Sequence, residues 1–173
     1  MSDPFPAQSS ILSADALAAH LLTRYDLPPP LRCRLLQPGD NDTYLVEAGG
    51  DTRAPVGASS NATRYALRVY RHGKRTAAEV QTEVDVLALM AQSGVPVAPA
   101  LPQSDGTHLT ELRAPEGPRH AVLFAFAAGA LAGFELTPEQ SHRYGRAVAR
   151  LHAVGDAAPQ PFPRHHIDEA FLP

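Results

Sequence analysis

The sequence is poor in cysteine, in lysine and in charge of one sign. Its single cysteine, Cys33, cannot close a disulfide within the chain, and no Cys/His spacing resembles a zinc site. Fifteen Lys and Arg against eighteen Asp and Glu leave a net charge of -3 with no long like-charge run, which argues against nucleic acid or an anionic membrane as partner. A small anionic ligand held by one or two arginines is compatible with that balance. No apolar run approaches bilayer-spanning length, and the opening MSDPFPAQSS lacks a basic region followed by an apolar core. A soluble, cytoplasmic protein is expected. Lysine is almost missing: Lys74 stands against fourteen arginines, so any role that ordinarily takes a lysine falls to Lys74 or to an arginine.

What is present is an ordinary globular composition, 44% hydrophobic and 19% charged, in 173 residues. That is enough for one sizeable core, or for one domain and part of another. Residues 1–12 open with a Pro- and Ser-rich stretch and are expected to form a mobile N-terminus. Ser13 then caps a helix that turns Leu17, Leu21, Leu22 and Tyr25 inward, and Pro28-Pro29-Pro30 ends it. Leu31, Cys33 and Leu35 alternate with Arg32 and Arg34 as a half-buried strand, stopped by the turn PGDND at 38–42; a second strand follows over 43–47. The Gly-, Ser-, Thr- and Asn-rich residues 48–62 suit a long, mobile hairpin connection.

The next strand, YALRVYR at 65–71, has a guanidinium at its midpoint. Period-2 alternation places Tyr65, Leu67 and Val69 on one face and Ala66, Arg68 and Tyr70 on the other. After His72-Gly73-Lys74 a helix is expected from about Arg75 to Gln92, closed by Ser93-Gly94. Its apolar stripe is Val80, Val84, Leu87 and Ala91; Glu83 lies beside the stripe, while Gln81, Thr82 and Asp85 fall on the far side. From residue types alone, Arg68 and Glu83 are either an exposed arginine and a helix-surface glutamate, or a pair pointing into one layer with the guanidinium partly free for phosphate oxygens.

Three prolines and a Ser-Asp-Gly turn allow only short strand pieces between 94 and 107. Residues 107–113 and 119–126 then form a hairpin, and AVLFAF, apolar on both faces, is an interior strand. A small-residue linker follows. Thr137, Pro138 and Gln140 mark a helix start as N-cap, first helical residue and reciprocal capping partner, with Tyr144, Val148 and Leu151 as its buried face. His152 near the end of that helix is a packing or dipole-compatible residue. His165, His166, Asp168 and Glu169 are not expected to hold a metal, because adjacent histidines point apart and no i, i+4 pair exists. A lone helix between the third and fourth strands of an antiparallel set argues for an α+β layer.

The order of these motifs resembles the N-terminal lobe of the aminoglycoside phosphotransferase and homoserine kinase-like small-molecule kinases. The matching stretches are GDNDTYLV at 39–46, YALRVYR at 65–71 and the helix over 79–90. Further on come VPV at 95–97, AVLFAF at 121–126 with Gly129, and YGRAVARLH at 144–152. The resemblance implies a protein kinase-like fold: a five-stranded antiparallel sheet with one packed helix over residues 13–126, a hinge over 127–136, and the start of a truncated second lobe over 137–173. It also implies ATP and magnesium as cofactors, with nucleotide contacts from Gly39, Asp40, Asn41, Asp42, Arg68, Glu83, Phe124 and Phe126. Arg68 stands where the family places its phosphate-binding lysine, and Glu83 where that residue's ion-pair partner sits. Arginine there is a departure, since its planar fork is not equivalent to an ammonium. The PGDND turn, read by itself an ordinary hairpin turn, would cover the phosphates with its backbone N–H groups.

The family's catalytic loop, His-Gly-Asp with Asn five residues after the Asp, is not in the sequence: Asp156 is preceded by Val154-Gly155 and followed at that spacing by Pro161. The expectation is therefore a kinase fragment for a small-molecule hydroxyl acceptor that binds nucleotide without turning it over. The metal ligands are expected outside it. The alternative is a non-catalytic nucleotide-sensing or protein-interaction module on the same scaffold. With later helices missing, the region after Gly129 is expected to be loosely docked, to self-associate through the exposed helix or to be locally unfolded.

Overall fold

The computed structural model describes residues 9–58, 61–129, 135–158 and 162; residues 1–8, 130–134 and 165–169, to which parts of the expectations above refer, lie outside the described set. Strands β1 (Leu31–Gln37), β2 (Asn41–Ala48), β3 (Thr63–Tyr70), β4 (Thr110–Ala114) and β5 (Gly117–Ala125) form one antiparallel sheet in the order β1-β2-β3-β5-β4. Each neighbouring pair is antiparallel. The AVLFAF strand is interior, as its two apolar faces require: β5 pairs with β3 on one side and β4 on the other. Beyond β4 the edge of β5 is continued by a bridge from Ala100 to Phe124, the short strand piece that the proline-rich segment permits.

Alternation along the strands divides the sheet into two faces, each with its own cover. On the first, Tyr44, Val46, Leu67, Val69, Ala121 and Leu123 pack under Leu17, Leu21, Leu22 and Tyr25. Those four come from a helical segment that starts as α1 (Ala14–Ala16), capped by Ser13, and continues through a π-turn (Leu17–Leu21) and a 3-10 turn (Leu22–Arg24). On the second face, Tyr70, Val122 and Phe124 meet Val80 and Val84 of α2 (Ala77–Gln92).

Helix α2 starts two residues later than its turn signals suggest. Thr76 is the N-cap, and Thr76 and Glu79 form a reciprocal capping box, a Thr-x-x-Glu signature readable in the sequence. Thr82, expected on the far side, is buried instead, its hydroxyl satisfied by the Ala78 carbonyl at 2.9 Å.

The connection between β2 and β3, expected to be mobile, is tied down. Glu47 is fully buried, pairs with Arg32 at 2.9 Å and with Arg64 at 3.7 Å, and accepts the Gly57 N–H at 2.8 Å. Arg32 also donates to the carbonyls of Thr52 and Ala54, Arg34 to that of Val56, and Arg64 to that of Gly57. The strand arginines that alternation marked as solvent-facing are the fastenings of this loop. Gly57 is required there: its φ is +99°, and a Cβ would meet the Arg34 guanidinium at 3.0 Å.

Helix α3 (Pro138–Asp156) begins with the expected cap, Thr137 and Gln140 bonding reciprocally. Its apolar face is left uncovered, as expected with later helices missing: no α3 residue is buried, and Tyr144 is 67% and Leu151 41% exposed. An amphipathic pattern identifies a helix and its apolar side, but burial needs a second surface, and among the described residues none covers this side. The helix meets the rest of the chain near the end of α2, where Arg150 reaches the Ser93 carbonyl.

The covered first face makes the fold sensitive to alkali. Burial pushes the Tyr25 and Tyr44 hydroxyls up from 10.0 to about 12, the Asp42 carboxylate adding to the effect at Tyr44; burial likewise raises the Cys33 thiol to about 12. These folded values lie above the unfolded ones, so the unfolded chain releases its protons first and stability falls with rising pH. The contribution is complete below about pH 9 and lost as pH passes about 12, on the order of 5 kcal/mol for the two tyrosines together. The urea midpoint is expected to fall steadily between pH 9 and 12. A flat midpoint across that range would show that these groups ionise without unfolding the face.

Candidate functional site

Arg68 lies in the middle of β3 with Thr43 opposite it on β2 and Val122 opposite it on β5, so its side chain leaves the second face of the sheet, toward α2. There Glu83 receives it: an Arg68 Nη forms an ion pair with one Glu83 carboxylate oxygen, and the Tyr70 hydroxyl donates to the other at 3.1 Å. Burial, then the Glu83 charge, holds the Tyr70 hydroxyl in its neutral, donating form well above its ordinary range. The guanidinium also lies over the Phe124 ring, 5.1 Å from its centroid, and 5.9 Å from that of Tyr70. One carboxylate contact uses part of a five-donor fork, and the Arg68 side chain is still 37% exposed. The remaining donors face a cleft.

That cleft has a volume of about 460 Å³. Leu36, Thr43 and Ala66 line its sheet side, Glu83 and Leu87 its helix side, and Val97, Phe124 and Phe126 its far end. Leu36 is the extra residue at a register shift between β1 and β2, and a bulge of this kind re-aims a side chain at the margin of a sheet. Ala66, two residues before Arg68 on the same face, keeps the sheet surface low there. A neighbouring cleft, lined by Asn41, Tyr70 and Arg75 among others, shares Glu83 and Leu87 with the first.

The sequence-predicted residues thus separate into three groups. Arg68, Glu83, Phe124 and Phe126 come together in one cleft. Gly39 and Asp40 lie in the β1–β2 turn, where the Arg71 guanidinium donates to the Gly39 carbonyl at 2.6 Å. Asn41 and Asp42 belong to the β1–β2 connection on one side, since Gln37 pairs with Thr43, yet already pair with Tyr70 and Val69 of β3 on the other. The second strand therefore begins two residues earlier than expected. Asn41 lines the neighbouring cleft, but the Asp42 side chain is 4% exposed on the opposite face of the sheet, paired with Arg119 at 2.7 Å. Its carboxylate is committed to the fold.

Sequence reasoning missed Leu36, Ala66 and Val97 as parts of the cleft, and Tyr70 as the donor that holds Glu83. Alternation had already placed Ala66 and Tyr70 on the Arg68 face, so the signal was present for those two. Leu36 needed the bulge and Val97 the path of the proline-rich segment, neither of which periodicity encodes.

The sequence profile of the phosphotransferase enzyme family (APH) matches residues 34–172. The chain belongs to that family. Two curated relatives are similar over most of it: an uncharacterized protein of Synechocystis sp., 36% identical over 150 residues, and an uncharacterized protein of Deinococcus radiodurans, 38% identical over 152 residues. The alignments cover 87% and 88% of this chain, but only 38% and 40% of the relatives, so the chain spans about two fifths of their length. Among solved structures, a microcompartment-associated aminopropanol kinase superposes with a TM-score of 0.66 at 30% identity, covering 89% of this chain and 45% of that one. An amicoumacin kinase, hAmiN, solved with AMP-PNP, Ca2+ and Ami, superposes with a TM-score of 0.67 at 15% identity, covering 91% and 45%; at that identity the likeness concerns the fold. Family membership accounts for the α+β kinase-like architecture. Among the described residues no three His, Cys, Asp or Glu side chains gather into a metal cluster, and no helix is long and apolar enough to cross a membrane.

Proposed function

We propose that residues 13–126 are the nucleotide-binding lobe of an ATP-dependent kinase acting on a small-molecule hydroxyl, with 127–136 as hinge and the residues from 137 as the start of a second lobe. The observation that carries this reading is Arg68: a guanidinium paired with Glu83, itself held by the Tyr70 hydroxyl, lying over Phe124, and still open to an apolar cleft. A cation oriented in advance by a carboxylate loses little freedom on meeting an anion, and arginine can grip two phosphate oxygens at once. Phe124, Phe126, Leu36 and Ala66 offer a planar base apolar surface on both sides, a combination of apolar walls and few polar groups that suits a nucleotide. Bound ATP would supply the γ-phosphoryl group for transfer; Arg68 would orient its phosphates, and the β1–β2 turn would cover them. The ligands for magnesium, the catalytic base and most acceptor contacts are assigned to sequence outside these 173 residues, since no His-Gly-Asp loop is found within them.

The chain is expected to bind ATP without phosphotransferase turnover above background. By titration calorimetry, Arg68→Ala should weaken ATP binding about tenfold or more. Its effect on adenosine should be much smaller, because adenosine has no phosphate to lose. ATP binding that is the same in both proteins would remove the phosphate role. Turnover that survives purification and disappears in Arg68→Ala would show that the chain carries its own catalytic groups.

A further inference from the structure

We propose that Arg71 is a positioning residue that sets the β1–β2 turn in its phosphate-facing conformation, an inference that rests on the nucleotide reading above and adds a residue to it. Arg71 follows β3 by one position and continues the alternation of Tyr65, Leu67 and Val69, on the side of the sheet opposite Arg68. Its Nη donates to the carbonyl of Gly39 at 2.6 Å, across 32 residues of chain. In a planar trans peptide the carbonyl and the following N–H point in opposite directions. Fastening the Gly39 carbonyl to Arg71 therefore turns the Asp40 N–H away from Arg71, toward the face that carries Arg68. The turn needs such an outside constraint. Gly39 is not among the positive-φ glycines, and a Cβ added to it would meet only the Asn41 carbonyl oxygen, at 3.7 Å, so neither local strain nor packing holds the peptide in one orientation.

The character of the Arg71 contact fits this role. Arg32, Arg64, Arg68, Arg75, Arg119 and Arg143 each have a carboxylate within ion-pair reach. Among the described residues Arg71 has none; its partner is a neutral carbonyl, and its Nε is buried without a partner. The Arg71 side chain is half-buried, and a buried N–H left without an acceptor costs a fold. Its use here is the turn: a cation whose one directed bond selects a peptide orientation.

The test is a titration of the chain with magnesium-ATP and, separately, with adenosine, followed by amide NMR and paired with a thermal melt. In the wild type, ATP should shift the Asp40 amide resonance. Arg71→Ala should abolish that shift and weaken ATP about tenfold, while adenosine affinity changes less than about twofold. Arg71→Gln, which keeps a donor for the Gly39 carbonyl without the charge, should retain the Asp40 shift. Equal loss of ATP and adenosine binding in Arg71→Ala, with a lower melting temperature, would make Arg71 merely structural and overturn the proposal. Loss of the Asp40 shift in Arg71→Gln to the same extent as in Arg71→Ala would assign the effect to charge and overturn positioning. ATP binding lost in Arg68→Ala yet unchanged in Arg71→Ala would overturn this inference alone, whereas a wild type that binds neither ligand would overturn the nucleotide reading with it.

Discussion

Arg119→Ala is expected to lower stability by about 3–5 kcal/mol, out of a typical margin of about 5–15 for a domain. Arg119 is 1% exposed at the start of the β5 interior. Its guanidinium pairs with Asp42 at 2.7 Å and Glu116 at 3.5 Å, and donates to the carbonyls of Val69, Tyr70 and Ser10. One side chain thus joins β2, the end of β3, the β4–β5 turn and the N-terminal segment. Glu116 adds a second tie, accepting from both the backbone N–H and the hydroxyl of Ser10. Truncating Arg119 strands a buried carboxylate and several carbonyls with no water to replace the lost donors. Arg119→Met combined with Asp42→Leu removes the closest ion pair together and should recover part of the loss; Glu116, left with Ser10 alone, keeps the recovery incomplete. Chemical denaturation of the three proteins checks this. An Arg119→Ala protein within about 1 kcal/mol of wild type would mean that water enters the site and solvates Asp42.

Glu47→Ala is the second large effect, expected to cost about 2–4 kcal/mol and to appear first as local opening. The cost is smaller than at Arg119 because the cations left behind can turn outward: the Arg64 side chain is already 38% exposed, and that of Arg32 17%. The Gly57 N–H loses its acceptor, and the loop between β2 and β3 loses the anion on which its arginines converge. Limited proteolysis should therefore cut within residues 49–62 of Glu47→Ala under conditions that leave the wild-type loop intact, before the sheet itself unfolds. Cleavage of both proteins at equal rates would show that the arginine-to-carbonyl bonds suffice without the carboxylate. Either result bears on function, since Arg64 and Ala66 share a face of β3 and the loop approaches the sheet at Leu45, opposite Ala66 in the cleft wall.

Much of this architecture is legible without coordinates, for reasons that differ by element. Thr137, Pro138 and Gln140 act on one another within four residues, so the start of α3 follows from the chain alone. The doubly apolar AVLFAF strand can be stable only with both faces covered, which makes it interior whatever surrounds it. For Arg68 and Glu83, alternation in a strand and a 100-degree step in a helix allowed a pair but equally an exposed arginine and a surface glutamate; the family resemblance pointed to the pair that the structure forms. By contrast, α3 shows how pattern and burial part company: Tyr144 and Leu151 form an apolar side with nothing among the described residues to cover it.

The sequence by itself determined the period of each element, its caps, the residues that share each strand face and the family to which the series of motifs belongs, since all of these depend on interactions a few residues apart or on order along the chain. Only the tertiary structure decided which arginine meets which acceptor. Fourteen arginines offer similar donors, and their assignment depends on strands brought together from 32 residues apart, as for Arg71 and Gly39, or from 77, as for Arg119 and Asp42. A charged side chain carries no periodic signature of its partner; the pairing is settled by which carboxylate or carbonyl the sheet register places within reach, and by the cost of leaving any of them buried alone.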